Sequence, residues 1–343
     1  MNNKVCPVCG KEKKQISLSE YDCEYCGFTN AFIQFFASEE SYKNWKNNVK
    51  SAVEKYKTKK RESLSNSNCL TVGNSAVAFL DMNSNTMYIA LGNGRVQTEQ
   101  NAIQFSSSER NFAVLYKNGT VKVFGEDNEF GQKNTEGWKN IIYITTAPNC
   151  TYGITKEGNV VYAGALVDPA VSRWKNLKLL LSSDDFIVGV HHDGKVSISS
   201  KDTIDSGLKA IEHWSNINGL ALTKNCCVGL MANGSIKYSG KTDDPRRQCE
   251  NWKDIISVVA DNAYVYGLTK DGNILVAGNC KSFLDKGRKN ASTWKDIVAI
   301  SCNKSGIGAI TGAGELLFAG TIAGDEKKVR ERWSGQIKQN INI

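Results

Sequence analysis

Six of the seven tryptophans fall at nearly regular intervals: Trp138, Trp174, Trp214, Trp252, Trp294 and Trp333 are separated by 36, 40, 38, 42 and 39 residues. A period of this length marks an array of small supersecondary units that bury their apolar faces only by stacking on neighbours. The residues that follow each tryptophan agree: WKNIIYIT, WKNLKLLL, WSNINGLA, WKDIISVV and WKDIVAIS. About twelve to fifteen residues later comes a second apolar run with a turn, as in YGITKEGNVVYAG, VGLMANGSIKYSG and YGLTKDGNILVAG. Glu157-Gly158, Asp193-Gly194, Asn233-Gly234 and Asp271-Gly272 are hairpin-turn dipeptides, because such turns need a positive φ. Each unit therefore predicts three strands and a variable stretch with room for a fourth.

Two further units precede Trp138. Asn111 to Gly125 (NFAVLYKNGTVKVFG) matches cleanly, and Ser75 to Ala90 is a decayed copy, which makes seven hairpins. The first hairpin lacks a tryptophan strand, and Trp333 to Ile343 supplies one with no hairpin after it. Joining the two predicts a mainly β, seven-bladed propeller closed by the C-terminal strand, with no open sheet edge. The units resemble the short bacterial form of RCC1-like repeats. Asn128-Glu-Phe-Gly-Gln132 is similar to the N-x-x-G-Q that often follows the closing glycine in that family. The resemblance spans about residues 69 to 343 and implies a β-propeller. By analogy it also implies an exchange-factor-like or inhibitor-like regulator, although the long insertion used by the exchange factors is missing. Fold alone does not decide between such roles.

The N-terminal region is of another kind. Cys6 and Cys9 (CPVCG) and Cys23 and Cys26 (CEYCG) form two CxxC pairs, each followed by glycine. Two such turns joined by a short hairpin predict a closed tetrahedral site for one structural zinc ion; iron is the weaker choice, and a redox pair or chance the remaining ones. The pattern resembles a zinc ribbon. The other seven of the eleven cysteines are irregularly spaced, which fits free thiols in a reducing, cytoplasmic setting.

Residues 38 to 65 predict one basic amphipathic helix and a linker. Tyr42, Trp45, Val49, Val53 and Tyr56 share a face, and the segment carries about half of the net charge of +8. Lys57, Lys59, Lys60 and Arg61 are the candidate nucleic-acid contacts, set against a solvated face or an apolar stripe that packs on its neighbours. The expected organisation is a zinc ribbon over 1–37, the helix and linker over 38–65, and the propeller over 66–343.

No apolar stretch is long enough for a membrane span or a secretory signal. No GxSxG, HExxH or phosphate-binding loop is present, and the three histidines form no cluster. The expectation is thus a non-enzymatic bacterial recognition module with a protein partner, the ribbon being a second docking element. Nucleic acid is the alternative partner, and no small-molecule substrate is evident. The loops before the second strands supply the candidate partner face: Glu109, Arg110, Asn149, Asp184, Asp185, Phe186, Asn225, Asp261, Asn262, Tyr264, Asn303 and Lys304. Basic loops near Arg246 and Lys281 to Lys289 are expected on the opposite rim.

Overall fold

The computed structural model describes residues 69–93, 95–125, 128–165, 168–183, 186–200 and 206–322, and in the flanks 14–15, 21–22, 51, 57–59, 61–64, 329, 333 and 337. It divides into two compact units, residues 1–60 with 342–343, and residues 61–341. In the smaller unit Lys14–Gln15 pairs antiparallel with Tyr21–Asp22, between the two CxxC pairs. Cys6, Cys9, Cys23 and Cys26 lie outside the described residues. No helix among the described residues is long and apolar enough to cross a membrane.

The larger unit contains seven consecutive antiparallel sheets among its described residues, each built from neighbouring sequence. Their inner strands are Leu70–Val72, Ala102–Ser107, Ile141–Ala147, Leu177–Ser182, Ile217–Leu222, Ile255–Ala260 and Ile297–Cys302, of blades 1 to 7. Each inner strand contacts the next, and that of blade 7 contacts that of blade 1, so the series returns to its start. Together they line a central channel of about 940 Å³. Apolar clusters fill the spaces between successive blades, such as Phe186, Val188 and Ile198 against Ile211, Trp214 and Leu220.

One recurrent piece of backbone chemistry fixes the strands after Trp138, Trp174, Trp214, Trp252 and Trp294. Two residues after the tryptophan stands Asn140, Asn176, Asn216, Asp254 or Asp296, each with φ between 54° and 59°. Asparagine and aspartate tolerate this left-handed conformation better than other side chains. The residue's carbonyl accepts from the hairpin of the same blade, as in Lys156 N–H to Asn140 O at 2.8 Å. A β-bulge follows, because Ile141 opposes Thr155 while Tyr143 opposes Ile154. In the hairpins of blades 2 to 7 only the glycine is left-handed; in blade 1 it is Asn85, φ 51°. The preceding Asn118, Asp193 or Asn233 instead accepts a backbone N–H with its side chain, at 3.0–3.1 Å.

Closure differs from expectation. Val329, Trp333 and Ile337 are helical and buried, and the innermost strand of blade 1 is Leu70–Val72. The four-residue spacing of these apolar side chains puts them on one helical face, and among the described residues no C-terminal strand enters blade 1. Trp333 nonetheless reaches that blade, 6.5 Å from the Phe79 ring between centroids. Phe79 opposes Leu70, the register position that Gly153, Gly189, Gly229 and Gly267 hold in blades 3 to 6. There each blade's own tryptophan lies on the glycine. Trp333 thus performs the tryptophan's packing for blade 1 from a helix. The seam between blades 7 and 1 adds Val72 N–H to Ser301 Oγ at 2.9 Å and Val72 packed on Gly308.

Candidate functional site at the channel mouth

The loops from inner to middle strands gather at one mouth of the channel. Most are closed by the same backbone bond, for example Ser108 N–H to Asn111 O and Asp261 N–H to Tyr264 O. Ser108, Ser183, Thr223 and Asp261 lead these loops, and each accepts a backbone N–H three residues on with its side-chain oxygen. Short polar side chains at this place are turn formers, which is why the mouth reads as serine, threonine, aspartate and asparagine.

Two buried arginines brace the mouth from below. Arg246 and Arg288 are each 4% exposed and each stand six residues before a blade tryptophan, where Gln132 stands before Trp138. Arg246 pairs with Asp244 at 2.6 Å and donates to Asn225 Oδ1 at 2.8 Å. It also donates to Thr223 Oγ1 at 3.3 Å and to the carbonyls of Asp261 and Asn262 at 3.5 Å, so one guanidinium ties together the loops of blades 5 and 6. Burial raises the Asp244 pKa, but hydrogen bonds from Arg246 outweigh it and hold the carboxyl at about 2. Arg288 pairs with Asp261 at 2.8 Å and lies over the Tyr264 ring at 5.3 Å. Asp261 also accepts from Tyr266 Oη at 2.8 Å and from the Ala263 and Tyr264 amides at 2.7 and 2.8 Å.

This geometry sorts the candidate residues. Glu109, Arg110, Asn225 and Asn262 are exposed at the mouth, and Asn149, Asn303 and Lys304 are half-buried there. Lys304 Nζ meets Glu109 Oε1 at 2.7 Å, so blades 7 and 2 are bridged across the blade 1 loop, above a recess of about 240 Å³. Phe186, Asp261 and Tyr264 stand behind this surface at 1–3% exposure: the two rings fill the spaces between blades, and the carboxylate is engaged inside. Asp184 and Asp185 lie outside the described residues.

The basic loops are on this face, not the opposite one. Outer strands run back to the mouth, so Arg246 reaches the loop carbonyls of blade 6, and Gly320 at the end of blade 7 adjoins Ser305 O. Arg61 is a second correction. It is 4% exposed, pairs with Asp296 at 2.9 Å and donates to Lys270 O at 3.2 Å. Its charge therefore fastens the short helical turn 61–64 to the hairpin end of blades 6 and 7 and is not presented to a nucleic acid. Lys59 is exposed, Lys57 is half-buried, and Lys60 lies outside the described residues.

No group of three or more metal-binding side chains forms among the described residues. Both ring nitrogens of His191 are engaged, by Lys175 O and Ser197 Oγ at 2.8 and 2.9 Å. Burial pushes the Cys150 thiol up to about 12 and raises Cys226, Cys227 and Cys302 as well, so these sulfurs stay protonated and poorly nucleophilic.

The fold is shared with solved propellers at low identity. The CRINKLY WD40 ectodomain of the Arabidopsis thaliana receptor kinase ACR4 superposes with a TM-score of 0.57 at 11% identity, over 75% of this chain and 96% of that one. The ectodomain of the Physcomitrella patens receptor kinase CR4 gives 0.54 at 13%, over 74% and 72%. Yeast RCC1 (Prp20), solved bound to Kap60, gives 0.52 at 12%, over 78% and 82%. No sequence family and no curated protein matches the chain. What the likeness establishes is the architecture: the chain carries an RCC1-like β-propeller of seven blades.

Proposed function

We propose that the protein is a non-enzymatic recognition scaffold whose channel-mouth face binds a protein partner. One observation carries this reading. Arg246 and Arg288 hold the mouth loops of blades 5 and 6 in a fixed arrangement, while Glu109, Arg110 and Asn262 are exposed on the same rim. A rigid rim with side chains free to vary offers complementarity without an ordering cost on binding. The buried, protonated thiols and the absence of a metal-binding cluster among the described residues favour recognition as the chemistry of this face.

The test is affinity capture from the native host with nuclease-treated lysate, comparing the intact chain with an Arg110→Glu, Asn262→Arg variant. Both residues are exposed, so folding should be unaffected. Cross-linked partner recovery should fall at least about tenfold. Unchanged recovery, or turnover of a substrate abolished by the same substitutions, would sink the proposal.

The four N-terminal cysteines are proposed to hold one zinc ion as a structural element of a second docking module. Elemental analysis of purified protein should give about one zinc per chain, and Cys23→Ser with Cys26→Ser should release it. Iron in its place, or no bound metal in protein purified without chelator, would refute this assignment.

A further inference from the structure

The most exposed large apolar side chains of the described residues sit side by side on the mouth face. Phe283 is 73% exposed and Leu284 is 51% exposed, in the helical turn Ser282–Asp285 between blades 6 and 7. Lys281, Lys286 and Lys289 flank them in the chain and are exposed, Lys286 Nζ donating to Thr321 Oγ1 at 3.0 Å. Nothing about a solvated connecting loop requires phenylalanine and leucine to point outward. This pair is held in place from within. Buried Arg288 donates to Leu284 O at 3.0 Å and Asp285 O at 3.1 Å while its other nitrogen holds Asp261. Lys286 then takes a left-handed conformation, φ 46°, followed by Gly287 at 79°, and its carbonyl accepts from Gly320 N–H. A left-handed lysine is a backbone state that surroundings must enforce. The same guanidinium that braces the mouth loop therefore fixes an apolar knuckle beside it.

We propose that Phe283 and Leu284 anchor an acidic protein segment bearing an aliphatic or aromatic side chain, with Lys281, Lys286 and Lys289 matching its carboxylates. This deepens the recognition reading above and rests on it. Preorganised apolar anchors ringed by charge are where interface energy concentrates. Charge complementarity selects an acidic segment. The size of the patch selects protein over lipid: two apolar side chains give too little area to hold a bilayer.

The experiment pans a random peptide display library against the full chain, against Phe283→Ser with Leu284→Ser, and against Arg110→Glu with Asn262→Arg. Sequences enriched on the wild type should be acidic with Leu, Ile, Phe or Trp. A synthetic peptide of the enriched sequence should bind the Phe283/Leu284 variant about tenfold to thirtyfold more weakly. Thermal melting that matches the wild type establishes that this variant is folded. Enriched peptides that are not acidic, or that ignore Phe283 and Leu284, overturn the proposal. If they depend on Arg110 and Asn262 alone, the mouth reading survives without the knuckle; if they depend on neither pair, both fail. Cosedimentation with vesicles of about 30 mol% phosphatidylserine, lost in the Phe283/Leu284 variant, would overturn it in favour of a lipid surface.

Discussion

Asp261→Ala should destabilise the propeller by about 3–5 kcal/mol, the largest effect expected of any single charge removal here. The substitution leaves the Arg288 guanidinium, 4% exposed, without its carboxylate, and it also removes the acceptor of Tyr266 Oη and of two loop amides. Isolated buried charge is the costly outcome, so the paired change Asp261→Leu with Arg288→Met should recover a substantial part of the loss. Denaturant unfolding monitored by tryptophan fluorescence would measure both. A loss below about 1 kcal/mol for Asp261→Ala would mean that Arg288 finds water or another acceptor, and that the mouth is less rigid than its hydrogen bonds imply. Because Arg288 also carries the knuckle, the single variant should bind partners poorly even where it remains folded.

Trp333→Ala should cost about 3–5 kcal/mol, through the cavity left beside Phe79. Trp333 is 1% exposed and its indole nitrogen has no hydrogen-bond partner, so Trp333→Phe should be much milder, about 1–2 kcal/mol. Hydrogen exchange would localise the damage. The amides of Leu70–Val72, a three-residue inner strand, should lose protection before those of blades 3 to 6. Equal loss in all blades would mean that Trp333 supports the whole ring and not the seam.

Much of this architecture was legible in the chain. The tryptophan period, the Asx-Gly hairpins and the count of seven units are local signals, and each blade is local in sequence. The asparagine or aspartate two places after Trp138, Trp174, Trp214, Trp252 and Trp294 is a local signal too, and its meaning is a left-handed φ. Long-range partnerships were not legible. Arg61 sits in a run of lysines, and only the fold brings Asp296, 235 positions away, beside it. Asp261 looks like any loop carboxylate until Arg288 is found beneath it. The C-terminal segment misled because WSGQIKQNINI continues the repeat by letter, whereas the spacing of Val329, Trp333 and Ile337 belongs to a helix. The side on which the basic loops emerge was not legible either, because it depends on strand number: with three strands in blades 5 to 7 the chain returns to the mouth.

Seven sheets made of consecutive residues, with no strand exchanged between the chain ends among the described residues, have a genetic consequence. A propeller closed by strand exchange splits one blade between its termini, so adding or deleting sequence at either end disrupts a shared sheet. Here one period of sequence is one whole sheet, and the first blade meets the C-terminal segment through side chains, Trp333 against Phe79, and not through a shared ladder of the described strands. Such a gene can change its number of units by recombination within the repeat while keeping each blade intact.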